Sequence, residues 1–260
     1  MARNFGGGRP DGSSTLHEGA TAYGSYFFGQ STFATHAIAR ERNVVKVAEG
    51  IDLAIVGPLG CGIQTGAGAV MRSMSCRAGS SLLVTGGGSV GLSGVLGAVV
   101  RELATIIVVD PIASRRDLAL ELGATHVIDP ADGAVSEQVR AIVPEGVDYA
   151  LDTTAIDAVL TEVLASLAQL GTLGMVGVPS NPEAVLSVGL IEMQARGLRF
   201  MGIVEGDSDP DTFLPELVQL HLAGRFPFDR LITTMPFAKI NDAVEAQARG
   251  EAVKVVLVHE

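Results

Sequence analysis

The sequence predicts an α/β protein built on a doubly wound parallel sheet, and three observations carry that prediction. Short runs that are apolar throughout, such as Ser81–Thr85 (SLLVT) and Thr105–Val109 (TIIVV), recur along the chain. A strand without polar alternation is buried on both faces, as in a parallel sheet covered by helices. These runs alternate with segments of helical pattern, and the first of them ends in a glycine cluster that leads into a helix. Crossovers between parallel strands of one sheet are right-handed, which winds the helices onto both faces.

Taken in order, residues 1–30 are rich in Gly, Ser and polar groups and read as a loop or extended arm. Residues 31–47 suggest two short strands, FATHAIA and NVVKV. Leu53–Met71 and Ala78–Val100 carry no charge and are long enough to span a bilayer. Glycines break both, and Pro58 breaks the first, which argues against membrane spans, and the run VTGGGSVGL in the second reads as a buried strand, a tight turn and a helix. After strand Ser81–Thr85 comes a helix over Val90–Leu103, then strand Thr105–Val109. A helix over Ser114–Leu122 follows, with Gly123 where a left-handed C-terminal cap belongs. Next come strand His126–Ile128, helix Ala134–Val143, strand Val147–Leu151, helix Ile156–Ala168 and strand Thr172–Val176. Phe200–Val204 suits a further strand. Thr212–Ala223 is amphipathic, with Phe213, Leu217 and Leu220 on one side. Ile240, Ala243, Val244 and Gln247 form a helical stripe ended by Gly250, and Lys254–Val258 is a final strand.

The chain of 260 residues suffices for one large domain or two small ones. It carries 18 Lys plus Arg against 29 Asp plus Glu, a net charge of −11. Nucleic-acid binding needs a basic face to neutralise phosphates, so that partner class is disfavoured, as is an anionic membrane surface. Cys61 and Cys76 are the only cysteines and have no paired spacing. This is no disulfide framework and fits a reducing compartment. The opening MARNFGGGRPDG lacks the apolar core of a signal peptide. The expectation is therefore a cytoplasmic protein.

Residues 86–91 read Gly-Gly-Gly-Ser-Val-Gly, the pattern G-x-G-x-x-G. The pattern alone is weak, but here it follows a strand, opens a helix, and precedes a second strand that ends in Asp110. Gly86 permits the tight turn, Gly88 lets the backbone approach a pyrophosphate, and Gly91 lets helix and strand pack closely. The helix start at Ser89 and Val90 offers N–H groups and a partial positive charge to phosphates. Asp110 is placed to accept hydrogen bonds from an adenosine ribose and to repel a 2′-phosphate, which favours NAD over NADP. Arg115 lies nearby and can offset that repulsion or contact the ribose.

With these pieces in place, the sequence resembles the zinc-type medium-chain alcohol dehydrogenases over nearly its full length. The telling stretches are GCGIQTGAGAV, VTGGGSVGLSG, IIVVDPIASRRDLALELGATHVID, VDYALDTT, GTLGMVGV and FDRLITTMPFAKINDAVEAQARGEAVKVVLV. The opening residues and FFGQSTFATHAIA are similar to the aryl-alcohol branch. The resemblance implies a Rossmann domain over residues 63–205. It also implies a partial, mainly β, GroES-like catalytic domain, made of a remnant at 1–62 and a returning segment at 206–260. It implies NAD-dependent oxidation of a primary, aryl alcohol to the aldehyde by zinc-assisted hydride transfer.

Cys61 matches one of three protein ligands to the family's catalytic zinc, for which alcohol dehydrogenase is itself the standard Cys₂His example. Thr65 matches a residue beside the nicotinamide, Val176 and Val178 match backbone contacts to its carboxamide, and Lys254 falls near the cofactor's phosphates. The family's other cysteine ligand, its Gly-His-Glu segment and its four-cysteine structural zinc lobe have no counterpart in this sequence. His17, His36, His126, His221 and His259 have no metal-ligand spacing with one another, and Cys76 reads as a small, partly buried thiol. The zinc site is therefore incomplete in this chain. The expectations compatible with that are a miscalled start, a fragment or a degenerate paralogue. Two other functions stay open: an NAD-binding protein without catalysis, and a zinc-independent reductase of the same superfamily. Relatives pair their sheets edge to edge, so the resemblance also implies a homodimer or larger assembly through Phe200–Val204.

Overall fold

The computed structural model describes residues 9, 11–14, 16–24 and 32–259. The chain divides into two compact units, residues 1–46 with 259, and residues 47–258 with 260. In the first unit the expected loop over residues 1–30 holds a small antiparallel hairpin. Its strands β1 (Leu16–Glu18) and β2 (Thr21–Tyr23) pair Leu16 with Tyr23. The strands expected at FATHAIA and NVVKV do not form: among the described residues, 32–47 hold only a 3₁₀ turn, Glu41–Asn43. A strand needs a neighbour to satisfy its backbone N–H and C=O groups. Among the described residues no strand pairs with this segment, and Ile38 is 93% exposed.

The second unit begins with α1 (Leu53–Val56), whose start is capped where the Asp52 carboxylate accepts from Ala54 N at 2.9 Å. A 3₁₀ turn, Gly57–Gly60, leads through Cys61 into α2 (Gly62–Gly68), which runs on as a π-helical turn over Ala69–Ser73. The path bends by 58° between the pieces, and among the described residues no single helix is long and apolar enough to cross a membrane.

The main sheet follows the sequence closely. Its strands are β3 (Ser81–Thr85), β4 (Thr105–Val109), β5 (His126–Ile128), β6 (Val147–Asp152), β7 (Leu167–Met175) and β8 (Arg199–Gly202). All pair in parallel in the spatial order β5-β4-β3-β6-β7-β8. Between them run α3 (Ser89–Val100), α4 (Ala113–Glu121), α5 (Val135–Ile142), α6 (Asp157–Ser166) and α7 (Leu190–Arg196). Leu83, Ile107, Ala150 and Leu173, one from each of the four central strands, are completely buried. This is the doubly wound Rossmann architecture. Its strand order reverses beside β3, so the carboxyl end of β3 is the topological switch point where ligands bind.

One boundary moved. The helix expected to reach Ala168 stops at Ser166, and the strand expected from Thr172 starts at Leu167. Two arginines satisfy the carbonyls left at that helix end. Arg196 Nη2 donates to Leu164 O (3.1 Å) and Leu167 O (2.6 Å), and Arg140 Nη2 donates to Ala165 O (2.8 Å).

After β8 come α8 (Pro210–Leu222), β9 (Ile232–Pro236), α9 (Ile240–Ala248) and β10 (Lys254–Val258), with β9 and β10 paired in parallel. Phe213, Leu217, Phe226 and Phe228 are buried, and Arg230 forms an ion pair with Glu121 that ties this segment to α4. Of the expected stripe on α9 only Ala243 is buried, while Val244 is exposed.

Candidate active site

The glycine loop leaves β3 with Gly86 at φ +94°, a left-handed conformation, and Gly86 N donates to Val109 O at 2.9 Å. A Cβ on Gly91 would stand 1.9 Å from Gly86 O, so α3 reaches the strand end only because residue 91 has no side chain. A Cβ on Gly88, by contrast, would meet nothing within 4 Å. Gly88 therefore faces open space at the start of α3, where the first N–H groups of a helix have no intrahelical acceptor.

Below the loop, Asp110 is 3% exposed. Its Oδ2 accepts from Gly87 N (2.7 Å) and its Oδ1 from Ile112 N (2.8 Å). Arg115 Nη1 lies 3.9 Å from Oδ2. An ionised carboxylate offers about four acceptor positions, so two remain for a ligand. Arg115 Nε is buried without a hydrogen-bond partner. The buried Asp152 ties the strand ends together. Its Oδ1 accepts from Thr85 Oγ1 (2.7 Å) and Thr154 Oγ1 (2.8 Å), and its Oδ2 from Ala155 N (2.8 Å).

A cleft of about 340 Å³ opens over this loop. Of the expected residues, Gly88, Ser89, Val90, Arg115, Val176 and Val178 line it. Thr153, Gly177, Gln247 and Val253, which sequence reasoning missed, line it too. Gln247 was assigned to a packing stripe, and only the return of α9 over the sheet brings it here. Val176 N donates to Asp152 O at 3.0 Å, so its carbonyl is the backbone group it can offer a ligand.

Cys61, Thr65 and Lys254 form a second cluster. A Cβ on Gly62 would lie 3.3 Å from Ser89 Oγ and 3.7 Å from Val90 Cγ2, which puts the Cys61 turn beside the start of α3. Glu205, in the turn after β8, joins this cluster. Its Oε2 accepts from Gln64 Nε2 (2.9 Å) and Thr65 Oγ1 (3.3 Å). Burial raises the Cys61 pKa, the Glu205 charge raises it further, the Lys254 charge opposes, and a hydrogen bond with Glu205 adds to the rise. No local motif marked Glu205, because its partners lie at the other end of the second unit's sequence. Cys76, read as partly buried, is completely buried, which pushes its pKa up to about 12.

The open space above Gly88, the two free acceptor positions on Asp110 and the unpartnered Arg115 Nε fit a dinucleotide. The metal is another matter. Among the described residues no three His, Cys, Asp or Glu side chains converge as a metal site. Cys61 faces Glu205 and a lysine charge instead, and these side chains do not by themselves fit a catalytic zinc.

The family described as zinc-binding dehydrogenase matches residues 89–223. A geraniol dehydrogenase from Castellaniella defragrans is 46% identical over 257 residues, covering 98% of this chain and 69% of its own. Among solved structures, an alcohol dehydrogenase zinc-binding domain protein from Burkholderia ambifaria superposes with a TM-score of 0.93 at 46% identity, covering 98% of this chain and 69% of its own. Benzyl alcohol dehydrogenase from Acinetobacter calcoaceticus gives a TM-score of 0.93 at 37% identity, with 99% and 70% covered.

Proposed function

This chain belongs to the zinc-binding dehydrogenase family and is an alcohol dehydrogenase by that membership, and from that premise we propose that it binds NAD in the cleft over Gly88 and oxidises a primary alcohol to its aldehyde. The observation that carries the reading is the glycine loop, with open space over Gly88 and the Asp110 carboxylate beneath. The N–H groups at the start of α3 hold the diphosphate. Asp110 accepts from the adenosine ribose and disfavours a 2′-phosphate, and Arg115 Nε finds its missing acceptor on the bound nucleotide. The backbone at Val176 and Val178 holds the carboxamide, Thr65 flanks the nicotinamide, and Lys254 supplies positive charge near the cofactor's phosphates. When bound, NAD accepts the hydride.

Geraniol and benzyl alcohol, named for two relatives, are both primary alcohols whose carbinol carbon adjoins an sp² carbon. An aryl or allylic primary alcohol is therefore the substrate class. Cys61 is the residue assigned to the zinc that polarises alcohols in this family. Because the described donors do not complete a site, no step is assigned to the metal.

NADH fluorescence titration tests the cofactor, and NADH formation with benzyl alcohol and with geraniol tests the reaction. Saturable binding and alcohol-dependent absorbance are expected. A folded sample that fails to bind NADH overturns the reading. The exposed edge of β8 pairs with a second copy, since an open edge strand is a liability otherwise. Sedimentation at micromolar concentration should give a dimer or larger, and a monomer would contradict this.

A further inference from the structure

The turn that follows β8 is conformationally costly. Glu205, Gly206 and Asp207 have φ of +52°, +67° and +45° in succession. Glycine accepts such angles freely, whereas a glutamate there is strained. The turn is also wedged in place. A Cβ on Gly206 would stand 2.6 Å from Gly68 Cα, and one on Gly68 would stand 2.8 Å from Gly206 Cα, so the turn and α2 touch backbone to backbone. A residue that only had to make this turn would be a second glycine. The strained side chain is instead a carboxylate whose Oε2 receives both Gln64 Nε2 and Thr65 Oγ1. Gln64 is 2% exposed, its Nε2 also donates to Gly60 O at 2.9 Å, and its Oε1 is buried without a partner.

We propose that Glu205 is a positioning residue that fixes Thr65 as a hydrogen-bond acceptor toward the nicotinamide end of the cofactor. An ionised carboxylate only accepts, and a threonine hydroxyl has a single proton to give. That proton goes to Glu205, so the lone pairs of Thr65 Oγ1 are what remain for a ligand. The bond from Gln64 holds the same carboxylate oxygen in place, and the strained turn holds the glutamate backbone. Glu205 thus acts through Thr65 and need not touch the reacting atoms.

The inference rests on the NAD reading, and the test separates the two. NADH and ADP-ribose, which lacks the nicotinamide, are each titrated against wild type, Glu205→Ala and Thr65→Val. Wild type should bind both. Glu205→Ala and Thr65→Val should each weaken NADH about tenfold, the effect of one buried hydrogen bond, and leave ADP-ribose within about twofold. The double variant should lose no more than either alone, because the two residues act as one unit. Glu205→Gln, whose amide oxygen can still accept from Thr65, should recover most of the NADH affinity. Equal loss of NADH and ADP-ribose would assign Glu205 a merely structural role and overturn the inference, as would unchanged NADH affinity. Failure of wild type to bind either ligand overturns the NAD reading and this inference with it. If Glu205→Ala does not fold, Glu205→Gly, which the positive φ favours, removes the carboxylate and should give the same split between NADH and ADP-ribose.

Discussion

At the phosphate end of the cleft, the groups that matter lie on one strand-loop-helix-strand run from Gly86 to Asp110. At the Cys61 end, they meet from residues 61–65, from the turn at Glu205 and from Lys254. The first end is held by backbone: N–H groups of Gly87 and Ile112 on a buried carboxylate, and a helix start facing open space. The second is held by side chains on side chains, one of them on a strained turn. A backbone-built site is encoded locally and should tolerate little change at its glycines. A side-chain-built site depends on the whole topology being in place.

The largest expected effect separates two glycines three residues apart in the same loop. Gly91→Ala would force a Cβ to within 1.9 Å of Gly86 O. It should cost about 1–3 kcal/mol, as overpacking does, and abolish NADH binding. Gly88→Ala meets no atom within 4 Å. Gly88 has an ordinary φ of −79°, so stability should change by less than about 1 kcal/mol. NADH binding should nevertheless be lost, because the new methyl occupies the space of the diphosphate. Urea midpoints and fluorescence titration read the two effects independently. Retained NADH binding in Gly88→Ala would break the assignment of this end.

The same contrast explains what the sequence made legible. The strands Ser81–Thr85 and Thr105–Val109 lie where their apolar runs place them, since a doubly buried strand has no polar position to confuse its limits; His126–Ile128 and Lys254–Val258, only partly buried, also keep the limits read from sequence. The end of α6 was not legible, because Arg140 and Arg196, distant in sequence, decide it. Residues 33–47 have strand composition but no partner strand among the described residues, and composition cannot report a missing partner. In the site, the glycine loop and Asp110 were readable because the motif and the geometry are the same run of chain. Glu205 and Gln247 were not, because their role arises from contacts across the fold.

Next in size is Asp110→Ala. It removes the acceptor for Gly87 N and Ile112 N, leaving two N–H groups without their partner. A loss of about 1–3 kcal/mol in stability is expected, with NADH weakened tenfold or more. NADPH should weaken less than NADH, because the carboxylate that repels its 2′-phosphate is gone and Arg115 remains. A variant that loses both dinucleotides equally would make Asp110 a scaffold for the loop and nothing more.

A smaller, several-fold effect distinguishes the two thiols. Both pKa values are raised, chiefly by removal of the sulfur from water, so both thiols are neutral near pH 7 and react only as their thiolate fraction grows. Cys61 is exposed and should be alkylated by iodoacetamide at a rate that climbs with pH, while Cys76 should resist alkylation until the protein unfolds. Cys76 also sets a sign for stability. Its pKa moves from 9.0 to about 12, so as the pH rises through that window the unfolded chain ionises before the native one. Stability is therefore lost between pH 9 and about 12. The urea midpoint of wild type should fall more between pH 8 and pH 10.5 than that of Cys76→Ala. Parallel falls would mean that the thiol does not carry the term.

The smallest expected effect is the most informative about the two ends. Cys61→Ser alters the side chain that family likeness assigns to the metal, yet NADH affinity should stay within about twofold of wild type. The reason is geometric. The proposed diphosphate and ribose contacts lie at Gly86–Gly91, Asp110 and Arg115, and the Cys61 turn meets that end through Gly62, whose neighbours are Ser89 Oγ and Val90 Cγ2. The replacement keeps a small hydroxyl able to bond to Glu205, so the tie from Glu205 to Thr65 survives. Alcohol-dependent NADH formation, by contrast, should be lost if the cysteine serves the alcohol. A parallel loss of affinity and turnover would join the ends into one site in which the cysteine supports the cofactor. Unchanged affinity with lost turnover keeps them separate, one end holding the nucleotide through backbone and the other directing the alcohol through side chains.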